Sequence, residues 1–206
     1  MIDIPGSIAL FAGVDGPPLL NELMIVAAEK LIFLIPVTLV FLWFCGESDA
    51  SPIAKQKARI PGLPVSEGKS SSVFVFVTIL ASLGGSYALG ALYSHPAPYM
   101  VGHETLLVDA PENSFPSQHA TVAFGFALGI LAFRDRATGI LLLVFATLVG
   151  VARWYVGVHY PIDIAGGFGA ALIGVTVVAT AAPAVNRFTT LCTTIETRIL
   201  QLLVGG

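Results

Sequence analysis

The sequence predicts an all-α, multi-pass transmembrane helical bundle of about five spans, with an interfacial N-terminal segment and an amphipathic C-terminal helix. Three observations predict it. The 206 residues are 55% hydrophobic and 11% charged, with a mean hydropathy of +0.85, whereas soluble domains are about 25% charged. The apolar residues gather in blocks that can cross a bilayer, and the basic residues gather in alternate loops.

The blocks lie at 24–45, 73–93, 117–133, 139–157 and 162–182. The first contains Glu29 and Lys30. Charges at mid-membrane are expensive, so the helix is expected to lie at the interface up to that pair and to enter the bilayer from Leu31 to Phe44. Residues 1–23 hold Pro5, Pro17 and Pro18 and lack the basic start of a secretory signal, so they read as an interfacial segment. The stretch 46–72, rich in Pro, Gly, Ser and Lys, reads as a connector. From Pro183 on, Val185, Phe188, Cys192, Ile195, Ile199 and Leu202 recur at spacings of three and four, which makes 184–206 an amphipathic surface helix. The whole chain reads as one membrane-embedded domain.

Translocated short loops are poor in Lys and Arg. Lys55, Lys57, Arg59 and Lys69, then Arg134 and Arg136, then Arg187 and Arg198 mark one side as cytoplasmic. The N-terminal segment and the loop 94–116 carry Asp3, Asp15, Glu22, Glu104, Asp109 and Glu112 without a Lys or Arg, which marks the outside.

Composition also excludes function classes. A net charge of −3 with no long basic run argues against nucleic acid as a partner, which needs basic residues gathered on one face. Cys45 and Cys192 stand alone, so neither a disulfide framework nor a metal centre is indicated. No cofactor is expected.

Two clusters carry the chemistry. In the first, Asn113 to His119, Pro116 is placed to open a span, which sets Ser117, Gln118 and His119 at a helix N-terminus. In the second, Arg153 to Asp163, Pro161 opens the last span, with His159 before it and Asp163 within its first turn. Both helix starts fall on the predicted outer face, where free N–H groups and the helix dipole favour an anion. Arg153 brings a fork that fits phosphate oxygens, and Ser117 brings a neutral donor. A histidine held by a carboxylate can act as a nucleophile, and a second histidine can protonate a leaving oxygen. Together they describe a pocket able to hydrolyse a phosphate ester or anhydride without a metal.

These stretches resemble the type-2 phosphatidic acid phosphatase superfamily. Pro116-Ser117-Gln118-His119 matches its Pro-Ser-x-His motif, and Arg153, His159 and Asp163 match its Arg-x5-His-x3-Asp motif. The resemblance implies that His159 is the nucleophile that becomes a phosphohistidine, Asp163 its orienting partner and His119 the general acid. It implies that Ser117 and Arg153 are phosphate ligands, and Gln118 joins them as a candidate substrate contact. Within the superfamily, the stretch from about Leu20 to Gly167 looks like the bacitracin-resistance type of undecaprenyl-diphosphatase. The implied partners are then a polyprenyl diphosphate and the surrounding membrane lipids. Phosphatidate or phosphatidylglycerophosphate phosphatases, and a catalytically silent lipid-phosphate binder, are the alternatives.

One departure stands out. The family's first motif carries a lysine and, seven residues on, an arginine before proline, whereas Gly90 and Ala97 occupy those places here. A lost charge-assisted hydrogen bond can matter by about 1.5–3 kcal/mol. His95, two residues before Ala97, is the candidate to replace part of that charge as a substrate-binding residue. Gly166, Gly167 and Gly169 are expected to permit close helix approach beside the site.

Overall fold

The computed structural model describes residues 15–45, 69–107 and 112–204. The expectations for Asp3, Pro5, Lys55, Lys57, Arg59 and Asp109 lie outside the described residues. Seven α-helices are seen among them: α1 Pro18–Glu29, α2 Leu34–Cys45, α3 Lys69–Leu92, α4 Gln118–Phe133, α5 Arg136–Tyr155, α6 Pro161–Thr180 and α7 Ala182–Val204. Short 3-10 turns occupy Leu31–Phe33 and Pro98–Val101.

Each start has a local cause. Pro18 sits at the first helical position of α1, where its fixed φ and missing N–H cost nothing. The helix therefore begins within the stretch that reads as an interfacial segment, with Pro17 at its N-cap. Ser117 caps α4, accepting from the Ala120 N–H. Asp135 caps α5, accepting from the Thr138 N–H at 3.0 Å. α3 begins at Lys69, earlier than the expected 73. Lys69 Nζ is anchored 2.8 Å from Glu196 Oε2 of α7, so residues 69–72 belong to the helix and not to the connector.

Helix α4 is the centre of the bundle. It packs on α3, α5 and α6, and Phe124, Phe126, Leu128, Ile130 and Phe133 are all buried. Enclosure by other helices lets so short a segment be apolar on every side. The outer helices turn apolar residues outward, with Phe41, Phe44, Leu80, Leu141, Val144, Leu172 and Val177 exposed. In water such a surface would be costly; against lipid chains it is the expected one. Among the described residues, four stretches are long and apolar enough to cross a membrane, Pro18–Phe44, Lys69–Leu92, Arg136–Tyr155 and Pro161–Thr180, and α4 is a shorter apolar helix. The protein is an all-α, multi-pass membrane protein.

The helix break at Lys30 to Phe33 falls at the charge pair. Before it, α1 packs on the last turns of α5, where Ala28 joins Ala152, Tyr155 and Val156 in one cluster and the Tyr155 hydroxyl donates to Asn21 Oδ1 at 2.9 Å. After it, α2 runs along α3. In α7, Phe188, Ile195, Ile199 and Leu202 are exposed while Val185 is buried. The tail is tied to the end of the bundle away from the break by Trp43 Nε1 and Lys69 Nζ, both donating to Glu196.

Candidate active site

The two chemical clusters meet at one end of the bundle, and the backbone explains why. Helix α5 ends in a Schellman motif: Gly157 has φ of +81°, its N–H donates to the Trp154 carbonyl at 3.0 Å, and the Val158 N–H donates to the Arg153 carbonyl at 3.4 Å. Only glycine takes that φ cheaply. The chain therefore doubles back and sets His159 over Arg153, which is what the spacing of the two requires. The Tyr160 N–H then donates to Asp163 Oδ2 at 2.7 Å, the carboxylate half of a capping box at the start of α6.

The first cluster is docked onto the second. The Ser117 N–H donates to the Asp163 carbonyl at 3.0 Å. A Cβ at Gly167 would lie 2.9 Å from the Ser117 carbonyl oxygen, and one at Gly166 would run into the Phe115 ring. Those two glycines do permit the approach expected of them. Gly169 does not share the role, since a Cβ there would meet nothing within 4 Å.

A cavity of about 740 Å³ opens between these elements. His119, Gln118, Arg153 and His159 line it, together with Glu29, Lys30, Phe33, Ser86, Tyr87 and Gly90. His159 is 3% exposed and Arg153 4%, so a phosphate entering here meets charge that water scarcely screens. Arg153 Nη2 lies 3.4 Å from His159 Nε2. Guanidinium can only donate, so Nε2 is the acceptor and carries a lone pair, and the ring proton resides on Nδ1. That Nδ1 faces Asp163 Oδ2 at 3.6 Å and has no hydrogen-bond partner among the described residues. Burial holds the His159 imidazole below its ordinary pKa; Arg153 pushes the same way and the Asp163 carboxylate opposes. The ring is thus neutral and its lone pair available at neutral pH. The Arg153 Nε–H has no hydrogen-bond partner among the described residues, a donor left for a ligand.

Two of the expected contacts are placed elsewhere. Ser117 is fully buried and its hydroxyl is used as a helix cap, so it stands behind the cavity wall. His95 is not among the lining residues; its Nδ1 lies 3.6 Å from Asp163 Oδ1. The break after α1 also brings Lys30 to the cavity wall with Glu29, 3.2 Å from its Oε2. The signal was present in the sequence as a charge pair within an apolar block. Gly90 lines the cavity where the family's lysine would stand, and Ala97 is fully buried in the loop after α3.

Residues 71–187 match the PAP2 superfamily. The chain belongs to that superfamily. It is 32% identical over 162 residues to YbjG of Escherichia coli strain K12, provisionally named an undecaprenyl-diphosphatase, covering 78% of this chain and 72% of that protein. It is 29% identical over 156 residues to undecaprenyl-diphosphatase BcrC of Bacillus subtilis strain 168, covering 75% of this chain and 70% of that protein. Among solved structures it is similar in fold to Aquifex aeolicus LpxE, with a TM-score of 0.61 at 22% identity, covering 86% of this chain and 93% of that one. The PAP2 protein described here is an enzyme, a lipid phosphatase.

Proposed function

We propose that this PAP2 protein removes the terminal phosphate of a polyprenyl diphosphate, of the undecaprenyl type, at the extracytoplasmic face of the cell membrane and without a metal ion. The observation that carries the reading is the shared cavity wall of His119, Arg153 and His159, with Asp163 held behind the last. The diphosphate would enter head first while its chain stays in lipid beside Phe33 and Tyr87, which are exposed at the cavity wall.

The incoming phosphate takes the Arg153 donors, and this frees the His159 Nε2 lone pair. Nε2 attacks the terminal phosphorus and the bond from phosphorus to the bridging oxygen breaks. His119 gives that oxygen its proton, and polyprenyl monophosphate leaves. The imidazolium formed on His159 is stabilised by the Asp163 carboxylate through Nδ1–H, as in other histidine–carboxylate pairs. Water then loses a proton to His119 and attacks the phosphorus; the P–N bond breaks and inorganic phosphate departs. The sum is diphosphate plus water giving monophosphate plus phosphate. Ser117 fixes the start of α4 and so the position of His119, and Gln118 lies at the rim for a hydrogen bond to the second phosphate.

The site end of the bundle, with α1 and the loop 94–116, belongs outside on the basic-residue pattern. The opposite end, with Lys69, Arg134 and the amphipathic α7, belongs in the cytoplasm, where the exposed apolar face of α7 rests in the interface.

Lys30 takes over part of the charge that Gly90 and Ala97 no longer supply. Its side chain is 65% exposed, so its contact is worth roughly 1 kcal/mol. Lys30→Gln should raise KM for the diphosphate by about fivefold with kcat unchanged, as steady-state kinetics will measure. The reading as a whole is tested by phosphate release from purified protein in detergent with EDTA, offering undecaprenyl diphosphate, phosphatidate and phosphatidylglycerophosphate in parallel. Preference for the diphosphate is expected. Faster release from a monophosphate lipid would move the substrate to the glycerolipids, and binding without release would make the protein a silent lipid-phosphate binder.

A further inference from the structure

Asp163 is fully buried, and its two oxygens are not equivalent. Oδ2 accepts from the Tyr160 N–H at 2.7 Å and faces His159 Nδ1 at 3.6 Å. Oδ1 has no hydrogen-bond partner among the described residues, and a buried anionic oxygen without a donor is costly. A ring that can supply part of that donor is His95: its Nδ1 lies 3.6 Å from Oδ1 and 3.3 Å from Ser114 Oγ, whose own hydroxyl donates to the His95 carbonyl at 3.2 Å, so the Nδ1–H is shared between Ser114 Oγ and Asp163 Oδ1.

His95 is held there by its surroundings. Its backbone N–H donates to Asn113 Oδ1 at 3.0 Å, and its carbonyl accepts from the Ser114 N–H at 2.8 Å. Its ring stands edge-on to Tyr160, with centroids 4.7 Å apart, and lies parallel to Tyr93 at 6.0 Å. A ring packed on two aromatic faces and set by two backbone bonds loses little freedom in keeping one orientation.

We propose that His95 is a positioning residue of the phosphoryl-transfer step, donating from Nδ1 to Asp163 Oδ1 so that Oδ2 stays aimed at His159 Nδ1. The inference rests on the reading of His159 as nucleophile. One carboxylate then lies between two histidines, of which His159 lines the cavity and His95 is not among its lining residues. His95 is separated from the phosphate by Asp163, so it acts through the carboxylate and contributes nothing to ground-state binding. The role differs from that of a substitute phosphate ligand, which would contact substrate and set KM.

The test compares His95→Asn with His95→Gln. The Asn amide places its donor where Nδ1 stands, whereas the Gln amide places it near the position of Nε2; both side chains are polar and of similar size. The substrate is whichever lipid phosphate the wild-type protein hydrolyses. His95→Gln is expected to lower kcat by about 10- to 100-fold, the range known for outer partners of metal-ligating histidines, with KM unchanged. His95→Asn should keep most of the wild-type kcat. In an Asp163→Asn background the two variants should become indistinguishable, because the residue they act through is gone. Inorganic vanadate gives a readout free of turnover: followed by ⁵¹V NMR, the Gln variant should bind it at least tenfold more weakly than the Asn variant.

Equal kcat for the two variants, or a rise in KM at constant kcat, would overturn the proposal. If the wild-type protein hydrolyses none of the lipids but binds vanadate, the substrate reading fails and the vanadate comparison still decides on His95. If the wild-type protein neither turns over a lipid nor binds vanadate, the phosphoryl-transfer reading and the positioning role fall together.

Discussion

His159→Asn is expected to abolish phosphate release, a loss on the order of 10⁴-fold or more, as for removal of other enzymatic nucleophiles. Asparagine is the informative replacement. Its side-chain amide can still donate toward Asp163 Oδ2, the oxygen that His159 Nδ1 faces at 3.6 Å, while the Nε2 lone pair beside Arg153 disappears. The carboxylate is therefore not abandoned in a buried site, and stability should change by no more than about 1–2 kcal/mol. Thermal unfolding measured beside phosphate release separates the two effects. A variant that stays folded and retains more than about a hundredth of the activity would remove His159 from the chemistry. Lipid binding should survive, since Arg153 and Lys30 remain in the cavity wall.

Asp163→Asn should lower kcat by roughly 10³- to 10⁴-fold with little change in KM, by analogy with the loss of the carboxylate from other histidine–carboxylate pairs. The protein should still fold, because the Asn carbonyl can accept the Tyr160 N–H that Asp163 Oδ2 now accepts at 2.7 Å and so preserve the start of α6. Asp163→Ala would lose that bond as well, at about 1 kcal/mol. The pH dependence carries a sign. Burial depresses the pKa of His159 below its ordinary value and Asp163 pulls it back up. In the wild-type protein, the acid limb of kcat/KM therefore lies below the ordinary histidine value of about 6.5. Removing the carboxylate charge takes away the upward influence, so in Asp163→Asn the limb should move to still lower pH while the plateau drops. A limb that moves to higher pH, or a plateau that stays put, would contradict the pairing of Asp163 with His159.

Much of this site was legible in the sequence because local signals and chemistry coincide there. Pro161 opens α6 and Ser117 caps α4, so the motif residues His119 and Asp163 fall at helix starts by short-range rules alone. The glycine between Arg153 and His159 ends α5 with φ of +81°, and that single turn sets the two side chains together. What the sequence did not reveal depends on contacts between distant segments. The loop after α3 folds back through an isolated bridge between Pro96 and Asn113, and this brings His95 Nδ1 to 3.6 Å from Asp163 Oδ1. No periodicity encodes such a return. Lys30 reaches the cavity because α1 caps the end of α5 while α2 turns along α3, a path set by packing. Pro17 and Pro18 lie in the stretch that reads as an interfacial segment, and Pro18 occupies the helical position that favours it. Both motif-one cations are absent at Gly90 and Ala97, yet the room they leave is part of the same cavity at Gly90.

The central claim is that His159 carries the phosphoryl group. Its most direct test is a rapid-quench reaction with polyprenyl diphosphate labelled in the terminal phosphate, in EDTA, with the quench in alkali and the label mapped by peptide mass spectrometry. The account predicts an acid-labile, alkali-stable label on the peptide containing His159, formed within one turnover, absent from His159→Asn and unaffected by EDTA. Turnover without such a label, or a label on another residue, would contradict it.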